Sequence, residues 1–387
     1  MRAKGMTYDT GFIRQGEISR PRFDPQVVKR ELAIIRDDLH CNAVQVIGGD
    51  PERLELAASC AAELGLEVWF SPYPLEQTTE EMLSLFTDCA ERAERLRTRG
   101  ADVVFVTGVE LSIMNRGFVP GDTLDDRPGL LLSQPGRQHE RLREVSARVN
   151  DFLGEAVAMV RERFAGRITY ASIPFERVDW SLFDIMSVEL IRNAEVAAQF
   201  RAGVRTLVAA GRPVAITGFG AATYRGAGDR GGRAMEILEY DADTGAPARL
   251  NGEYARDEDG QATYLRELLE IFDSEGVDST FVFLFALDNL PHRPGGDPRE
   301  DLDLASPGIV KPLEDRQGAS YPGMTWEPKA AFTAVAKCYA PGTLPLAYLV
   351  RDPGLRSRSD AYARLARALY REAADDGRYS ARLGSRP

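Results

Sequence analysis

The chain has 387 residues, of which 44% are hydrophobic and 28% are charged, so it is long enough to bury a large core in one or two domains. Its formal net charge of −11 gives no general attraction for polyanions, and no cluster of Lys and Arg interleaved with aromatic residues compensates locally. Nucleic acid is therefore not an expected partner. No apolar stretch reaches the length of a signal peptide or a membrane span, so we expect a cytoplasmic protein without a membrane partner.

Eight short apolar segments run along the chain; the fifth is followed by the short connection IPFERVDWSL, and each of the others is followed, directly or after a loop, by a predicted helix. The predicted strands are Lys4–Asp9, Asn42–Ile47, Leu66–Phe70, Ala101–Thr107, Arg167–Ser172, Phe183–Val188, Val214–Thr217 and Ser279–Phe285. This alternation predicts a (β/α)8 TIM barrel over residues 1–340, with a doubly wound open sheet as the alternative fold. Long loops are expected after strands four, seven and eight, over residues 108–138, 225–259 and 288–322. Residues 341–387 are predicted to form a C-terminal helical tail, with a helix over 360–372, that packs on the barrel or extends from it.

The four cysteines have no CxxC spacing, and the three histidines lie far apart in the sequence. Reduced thiols fit this pattern better than a disulfide framework or a zinc site, so we expect neither a metal nor a cofactor. Gly226, Gly228 and Gly231 form a literal GxGxxG, but they start several residues past a strand and lack the strand-to-helix turn of a dinucleotide site. Three arginines in the same loop favour an anionic substrate group as an alternative partner: Arg225, Arg230 and Arg233.

Acidic and aromatic residues cluster just past the predicted strands, where a (β/α)8 barrel carries its chemistry. Flat rings offer platforms for sugar rings, and carboxylates accept hydroxyl hydrogen bonds and act as acids and bases at a glycosidic oxygen. We therefore predict a small-molecule substrate, and specifically a glycoside. The predicted substrate-binding residues are Tyr8, Asp9, Trp69, Tyr73, Phe219, Tyr224 and Asp288. Glu110 is the leading catalytic candidate, because its apolar neighbours Val109 and Leu111 favour a raised pKa.

Four strings, TYD at strand one, GVE at strand four, FDIMSVE at strand six and AITGFG at strand seven, carry a family resemblance. In this order they resemble the retaining (β/α)8 glycoside hydrolases of the cellulase, mannanase and β-galactosidase superfamily. The chain is also similar to a group of uncharacterised bacterial proteins, some labelled abortive infection proteins, through strings such as DDLHCNAV and TYRGA. The superfamily resemblance implies an acid/base Glu after strand four, which Glu110 matches, and a nucleophilic Glu after strand seven in a T-E-F-G-like string.

Gly218 occupies the place of that nucleophile, and a glycine has no carboxylate to attack with. Three explanations are open: a catalytically silent carbohydrate-binding protein, a different carboxylate such as Glu189 or Asp288, or an engineered loss of the nucleophile. The sequence predicts a glycoside-hydrolase-like enzyme with catalytic positions Glu110, Gly218 and Glu189. The alternative is a non-hydrolytic lyase, isomerase or cyclase on the same barrel.

Overall fold

A computed structural model describes residues 1–14, 16–124, 126–132, 138–241 and 244–341 of the chain. Eight strands close into a barrel in the order β1-β8-β7-β6-β5-β4-β3-β2, and every neighbouring pair is parallel. The strands are β1 Ala3–Asp9, β2 Ala43–Gly48, β3 Glu67–Pro72, β4 Val103–Val109, β5 Arg167–Ser172, β6 Met186–Glu189, β7 Val214–Phe219 and β8 Ser279–Val282. The predicted (β/α)8 barrel is confirmed, and closure through the β1–β8 pair excludes the open sheet.

In the described part of the chain a short 3₁₀ helix, Trp180–Leu182, joins β5 to β6, and α-helices follow the other seven strands. The α-helices are α1 Pro25–Asp37, α2 Pro51–Glu63, α3 Thr79–Thr98, α4 Leu111–Met114, α5 Asp126–Leu132, α6 Gln138–Arg161, α7 Ala197–Val208, α8 Ala227–Arg230, α9 Glu258–Glu275 and α10 Ala330–Tyr339. The first three begin at side chains that the sequence marks as caps. Asp24 and Asp50 each accept a backbone N–H and precede a proline, and Thr78 forms a capping box with Glu81.

The long connections after β4, β7 and β8 carry small elements of their own. The β4 connection contains α4 and α5, and the β7 connection contains α8 and a hairpin of Leu238–Tyr240 with Pro247–Leu250. The β8 connection contains a second hairpin, Val310–Pro312 with Trp326–Pro328. The predicted tail helix lies outside the described residues. No helix in the described part of the chain is long and apolar enough to cross a membrane.

Two layers of side chains surround the strands because successive residues point to opposite faces. Outward residues such as Met6 and Val44 join the large core against the helices. Inward residues form a second cluster inside the barrel, in which Trp69 packs against Phe281 with ring centroids 4.6 Å apart. The Trp69 indole N–H donates to Glu67 Oε1 (2.8 Å), at the amino-terminal start of β3. Trp69 therefore fills the barrel interior and does not line the mouth at the carboxyl ends of the strands.

We expect the Trp69→Ala substitution to lower the free energy of unfolding by about 3–5 kcal/mol, because it opens a cavity in a fully buried cluster. Urea denaturation monitored by circular dichroism measures the loss. The control is Tyr240→Ala, which removes a side chain that is 43% exposed and should change stability by about 0.5 kcal/mol or less. Equal effects of the two substitutions would contradict the assignment of Trp69 to the core.

Candidate active site

Glu110 follows β4 directly and is held in an unusual backbone conformation. The pairing of β4 with β5 shifts register between Val106 and Val109, and Gly108 has φ +86°. Glu110 itself lies in the left-handed region, with φ 45° and ψ 40°, a conformation that is costly for a residue with a side chain. Its amide donates to Ala171 O of β5 (2.9 Å), while its side chain makes no capping bond to α4. This backbone kink directs the partly buried Glu110 carboxyl group away from the strand axis. The carboxyl group is also not used to cap α4.

Glu189 closes β6 and pairs in register with Gly218 of β7. A Cβ atom added to Gly218 would lie 1.5 Å from Glu189 Oε2 and 2.6 Å from its Cδ, so the Glu189 carboxylate fills the space that a side chain at position 218 would need. Gly218 is not among the glycines with positive φ, so its backbone conformation is open to other residues. Position 218 is therefore a glycine because the Glu189 carboxylate occupies the space of a side chain there, and not because a turn requires a positive φ.

The two glutamates differ in their electrostatic surroundings. Burial and the nearby carboxylates of Glu189 and Glu176 raise the pKa of Glu110 well above its usual range. Burial raises the pKa of Glu189 to about 7, and Thr217 partly opposes that shift. Glu189 is 9% exposed, and its Oε1 has no hydrogen-bond partner among the described residues. Both carboxyl groups are thus harder to ionise than an ordinary glutamate, and Glu189, which lacks the added repulsion of neighbouring carboxylates, ionises before Glu110.

Tyr73, just past β3, lies in the same electrostatic field. Burial raises its pKa, and the carboxylates of Glu110, Glu189 and Asp9 raise it further. Its ring lies 5.4 Å from that of Phe12 at an interplanar angle of 39°. The predicted residues Tyr73, Glu110, Glu189 and Asp9 are therefore brought together, and Phe12 extends the aromatic surface beside them.

A second group of charges lies where β1 and β8 end. Asp9 accepts hydrogen bonds from the Gly11 amide (2.7 Å) and the Ser19 hydroxyl (2.6 Å), and burial raises its pKa to about 7. Arg20 is paired with Glu31 (2.6 Å) and with Asp288 (3.4 Å). Burial raises the pKa of Asp288 to about 6 despite the opposing charge of Arg20. Asp288 remains partly exposed. Both carboxylate oxygens of Asp9, in contrast, already accept hydrogen bonds from the loop that follows β1.

Four aromatic residues expected to bind substrate lie elsewhere, and each is corrected by its packing. Trp69 is inside the barrel, as described above. Tyr8 is fully buried and donates to Glu31 Oε2 (2.5 Å), and Phe219 packs edge-on against Phe272 of α9 with ring centroids 5.0 Å apart. Tyr224 is 4% exposed and donates to Ala234 O (3.2 Å). Strand alternation sends Tyr8 outward toward the helices. Phe219 would face inward by alternation from Ala215, but the register shift between β8 and β7, which pairs Ile216 with Thr280 and Phe219 with Val282, turns it outward.

The loop with the glycine motif has no phosphate-binding turn. Gly226 and Gly231 flank the four-residue helix α8, at φ +83° and +58°, and neither lies at a strand-to-helix junction. Arg230 is paired with Glu236 (3.4 Å) in the same loop. This arrangement matches the prediction that the motif is not a dinucleotide site.

Sequence reasoning missed Phe12 and Arg20 and left Glu176 without a role. Phe12 meets Tyr73 from a different loop, and Arg20 lies beside Asp288, which is far away in the chain. No local pattern marks either contact, because both depend on closure of the barrel. Glu176 was visible as an acidic residue after strand five, but its four hydrogen-bond partners become apparent only in the folded chain.

No family model matches the chain, and no curated protein matches it. Among solved structures it is similar to a complex of a GH113 β-1,4-mannanase, with a TM-score of 0.53, 14% identity, and coverage of 87% of this chain and 98% of that one. A second GH113 β-1,4-mannanase structure gives the same values. A third similar structure is Bacteroides uniformis β-glucuronidase 2 covalently bound to cyclophellitol-6-carboxylate aziridine, with a TM-score of 0.51, 13% identity, and coverage of 80% and 33%.

The chain shares the (β/α)8 barrel fold of these structures. At this level of identity the likeness shows the fold alone, so the roles of individual residues depend on the geometry described above.

A double-mutant cycle tests the shared volume of Gly218 and Glu189. Gly218→Ala alone is expected to lower the free energy of unfolding by about 1–3 kcal/mol, because the new Cβ would overlap the Glu189 carboxylate. In a Glu189→Ala background the same substitution should cost about 0.5 kcal/mol or less, because the carboxylate is gone. Chemical denaturation of the four proteins measures the coupling.

The matched control is Gly154→Ala in α6, where an added Cβ meets nothing within 4 Å. This substitution should be neutral or stabilising, since alanine is the better helix former. An unchanged cost of Gly218→Ala in the presence and absence of Glu189 would show that the two positions do not share space.

Proposed function

We propose that the protein is a glycoside hydrolase in which Glu110 is the acid/base and Glu189 takes the place of the nucleophile absent at position 218. The observation that carries this proposal is the position of the Glu189 carboxylate, 1.5 Å from where a Cβ of residue 218 would be. The superfamily it resembles supplies its nucleophile after strand seven. Here the neighbouring strand, β6, brings a carboxylate to that same region, and the glycine on β7 leaves room for it.

The opposite tendencies of the two carboxyl groups assign their roles. Glu110 keeps its proton to a higher pH than Glu189 does, and it can protonate the glycosidic oxygen as the bond to the anomeric carbon breaks. Glu189 ionises at about pH 7, and its carboxylate attacks the anomeric carbon to form a glycosyl ester. Glu110, now deprotonated, then takes a proton from water, whose oxygen attacks the same carbon and releases the sugar and Glu189. The proton that left Glu110 is thereby restored.

Buried polar atoms inside the barrel support a hydroxyl-rich substrate. Thr7, Gln45 and Thr217 lie two or four residues beyond Ala3, Ala43 and Ala215, which face the barrel interior, so strand alternation gives them the same direction. Thr7 Oγ1 and Gln45 Oε1 are buried without a hydrogen-bond partner in the described structure, whereas the Thr217 hydroxyl interacts with the Glu189 carboxylate. Unpaired buried atoms are costly unless a ligand or water satisfies them. Sugar hydroxyl groups both donate and accept, so they suit the atoms of Thr7 and Gln45.

The aromatic pair Tyr73 and Phe12 supplies the apolar part of the proposed site. A pyranose has a face of C–H groups that packs on aromatic rings, and Tyr73 also lies in the field of both catalytic carboxylates. Asp288 is partly exposed in the connection that follows β8, and it can accept hydroxyl hydrogen bonds at the edge of this aromatic surface. Tyr73 and Asp288 are thus retained from the sequence prediction as proposed substrate contacts.

Hydrolysis of a panel of aryl glycosides tests the catalytic roles. Glu110→Gln and Glu189→Gln are each expected to lower kcat/KM by about 100-fold or more, because each removes a group that reacts in the proposed mechanism. Wild-type kcat/KM should rise as pH increases through about 7, where Glu189 loses its proton, and fall again when Glu110 ionises. The control is Glu67→Gln, a mostly buried carboxyl group at the opposite end of the barrel, which should keep its activity.

Azide distinguishes attack by Glu189 from general-base assistance. In a Glu189→Gly variant, azide should restore turnover and yield a glycosyl azide, because a small anion fits the volume left by the carboxylate beside Gly218. Glycoside binding without turnover in the wild-type protein would contradict the proposal and favour a carbohydrate-binding protein. Turnover of a non-glycoside that depends on Glu110 would favour a lyase or isomerase.

The charges around the site predict a neutral substrate. Apart from burial and Thr217, the groups that shift the pKa of Glu110, Glu189 and Tyr73 are all carboxylates, and Arg20 is already paired with Glu31 and Asp288. An added carboxylate on the sugar would meet repulsion from these groups, and none of the described residues that shift these three pKa values is a cation. Aryl hexosides should therefore be hydrolysed with a kcat/KM at least about tenfold above that of the matching aryl uronides. A preference for uronides in the matched pairs would contradict this reading of the charges.

A further inference from the structure

Glu176 is a fully buried carboxylate that the proposed reaction does not use. It follows β5, in the connection next to the one that carries Glu110. Its Oε1 accepts hydrogen bonds from the Ser112 amide (3.1 Å) and the Ser112 hydroxyl (2.6 Å). Its Oε2 accepts from the Ile173 amide (3.1 Å) and the Tyr170 hydroxyl (2.8 Å). Burial raises the pKa of this carboxyl group, and the hydrogen bonds from Ser112, Tyr170 and Ile173 oppose that shift by stabilising the ionised form.

Tyr170 links this carboxylate to the residue after Glu110. The Tyr170 hydroxyl accepts the Leu111 amide (2.9 Å) and donates to Glu176 Oε2 (2.8 Å). A hydroxyl group has one proton, so the bond from Leu111 orients that proton toward Glu176. The first two amides of α4, Leu111 and Ser112, are thus both held by this pair, one through Tyr170 and one directly.

The hydrogen bonds from the Leu111 and Ser112 amides to Tyr170 and Glu176 lie next to Glu110, whose backbone conformation is strained. Glu110 is in the left-handed region, and an exposed turn would relax out of that conformation unless its neighbours fixed it. The Glu110 amide is held by Ala171 O, the next two amides are held by Tyr170 and Glu176, and Ala171 and Tyr170 are consecutive residues of β5. The end of β5 and Glu176 in the connection after it therefore hold three successive amides at the position where Glu110 leaves β4.

We propose that Glu176 and Tyr170 form a clamp that positions Glu110 and, through the charge of Glu176, favours the protonated state that a general acid needs. Glu176 and Tyr170 are positioning residues, because neither is placed to touch the substrate. The inference rests on the proposed role of Glu110, but the clamp itself is a property of the free protein and is measured without substrate.

Carboxyl ¹³C NMR of protein labelled at glutamate Cδ measures the pH midpoint at which Glu110 ionises, and so tests the effect of the Glu176 charge. The Glu110→Gln variant assigns the Glu110 signal. Glu176→Gln is expected to lower the pH midpoint of Glu110 by about one pH unit, because a nearby negative charge is removed. Tyr170→Phe leaves that charge in place, so it should not lower the midpoint. In Tyr170→Phe the Leu111 amide loses its acceptor, and its hydrogen exchange should accelerate by about tenfold.

The matched control is Tyr339→Phe, which removes another fully buried hydroxyl that contacts Thr280 Oγ1 (3.0 Å) and Gly5 O (3.2 Å), far from Glu110 along the chain. It should change neither the Glu110 midpoint nor Leu111 exchange. An unchanged midpoint in Glu176→Gln together with unchanged Leu111 exchange in Tyr170→Phe overturns the clamp. If Glu176→Gln does not fold, Tyr170→Phe alone decides through the exchange rate.

Activity separates this inference from the proposed function. If the protein hydrolyses glycosides, Glu176→Gln should move the alkaline limb of the kcat/KM profile to lower pH, whereas a purely structural role would reduce activity equally at all pH values. If no glycoside is hydrolysed while the midpoint and exchange rates change as expected, the proposed function fails and the clamp stands. Hydrolysis with an unmoved alkaline limb in Glu176→Gln supports the function and rejects the charge effect of Glu176.

Discussion

The arrangement of the site depends on one steric constraint, the space shared by the Glu189 carboxylate and position 218. Parallel pairing places the ends of β6 and β7 side by side, and only one of the two residues can have a side chain in that space. Here β6 contributes the carboxylate and β7 contributes the glycine. The side chain that the sequence lacks at position 218 would have no room in the folded chain, because a carboxylate from the neighbouring strand already fills that space. The glycine and the glutamate therefore have to be understood as a pair.

The carboxyl groups of Glu110 and Glu189 share one buried site but differ in how readily they ionise. Both are desolvated, which raises both pKa values, but Glu110 also faces the charges of Glu189 and Glu176. The result is an acid that keeps its proton and a neighbour that loses its proton first. No metal or histidine is needed for this division. Among the described residues, no group of three or more His, Cys, Asp or Glu side chains is placed to hold a metal ion.

The barrel supplies the rigid frame that such a site needs. β5 and the connection after it hold the backbone on either side of Glu110 through Ala171, Tyr170 and Glu176, so the left-handed kink is fixed by bonds from a neighbouring strand and its connection. At the β1 end, Asp9 holds its own loop through Gly11 and Ser19. Carboxylates at the strand ends thus fall into two groups. Those with every oxygen bonded hold the loops, and those with unbonded oxygens are available for chemistry.

The sequence by itself determined the fold and the strand end that carries Glu110. Alternating apolar strands and amphipathic helices are local patterns, and their number and order fix a closed parallel barrel. The directions of side chains were decided only by the tertiary structure. Tyr8, Trp69 and Phe219 lie on or beside correctly predicted strands, yet pleating and the register sent them into the core. The overlap of Glu189 with position 218 is likewise invisible in the sequence, because it arises from the pairing of two strands that a helix and its loops separate along the chain.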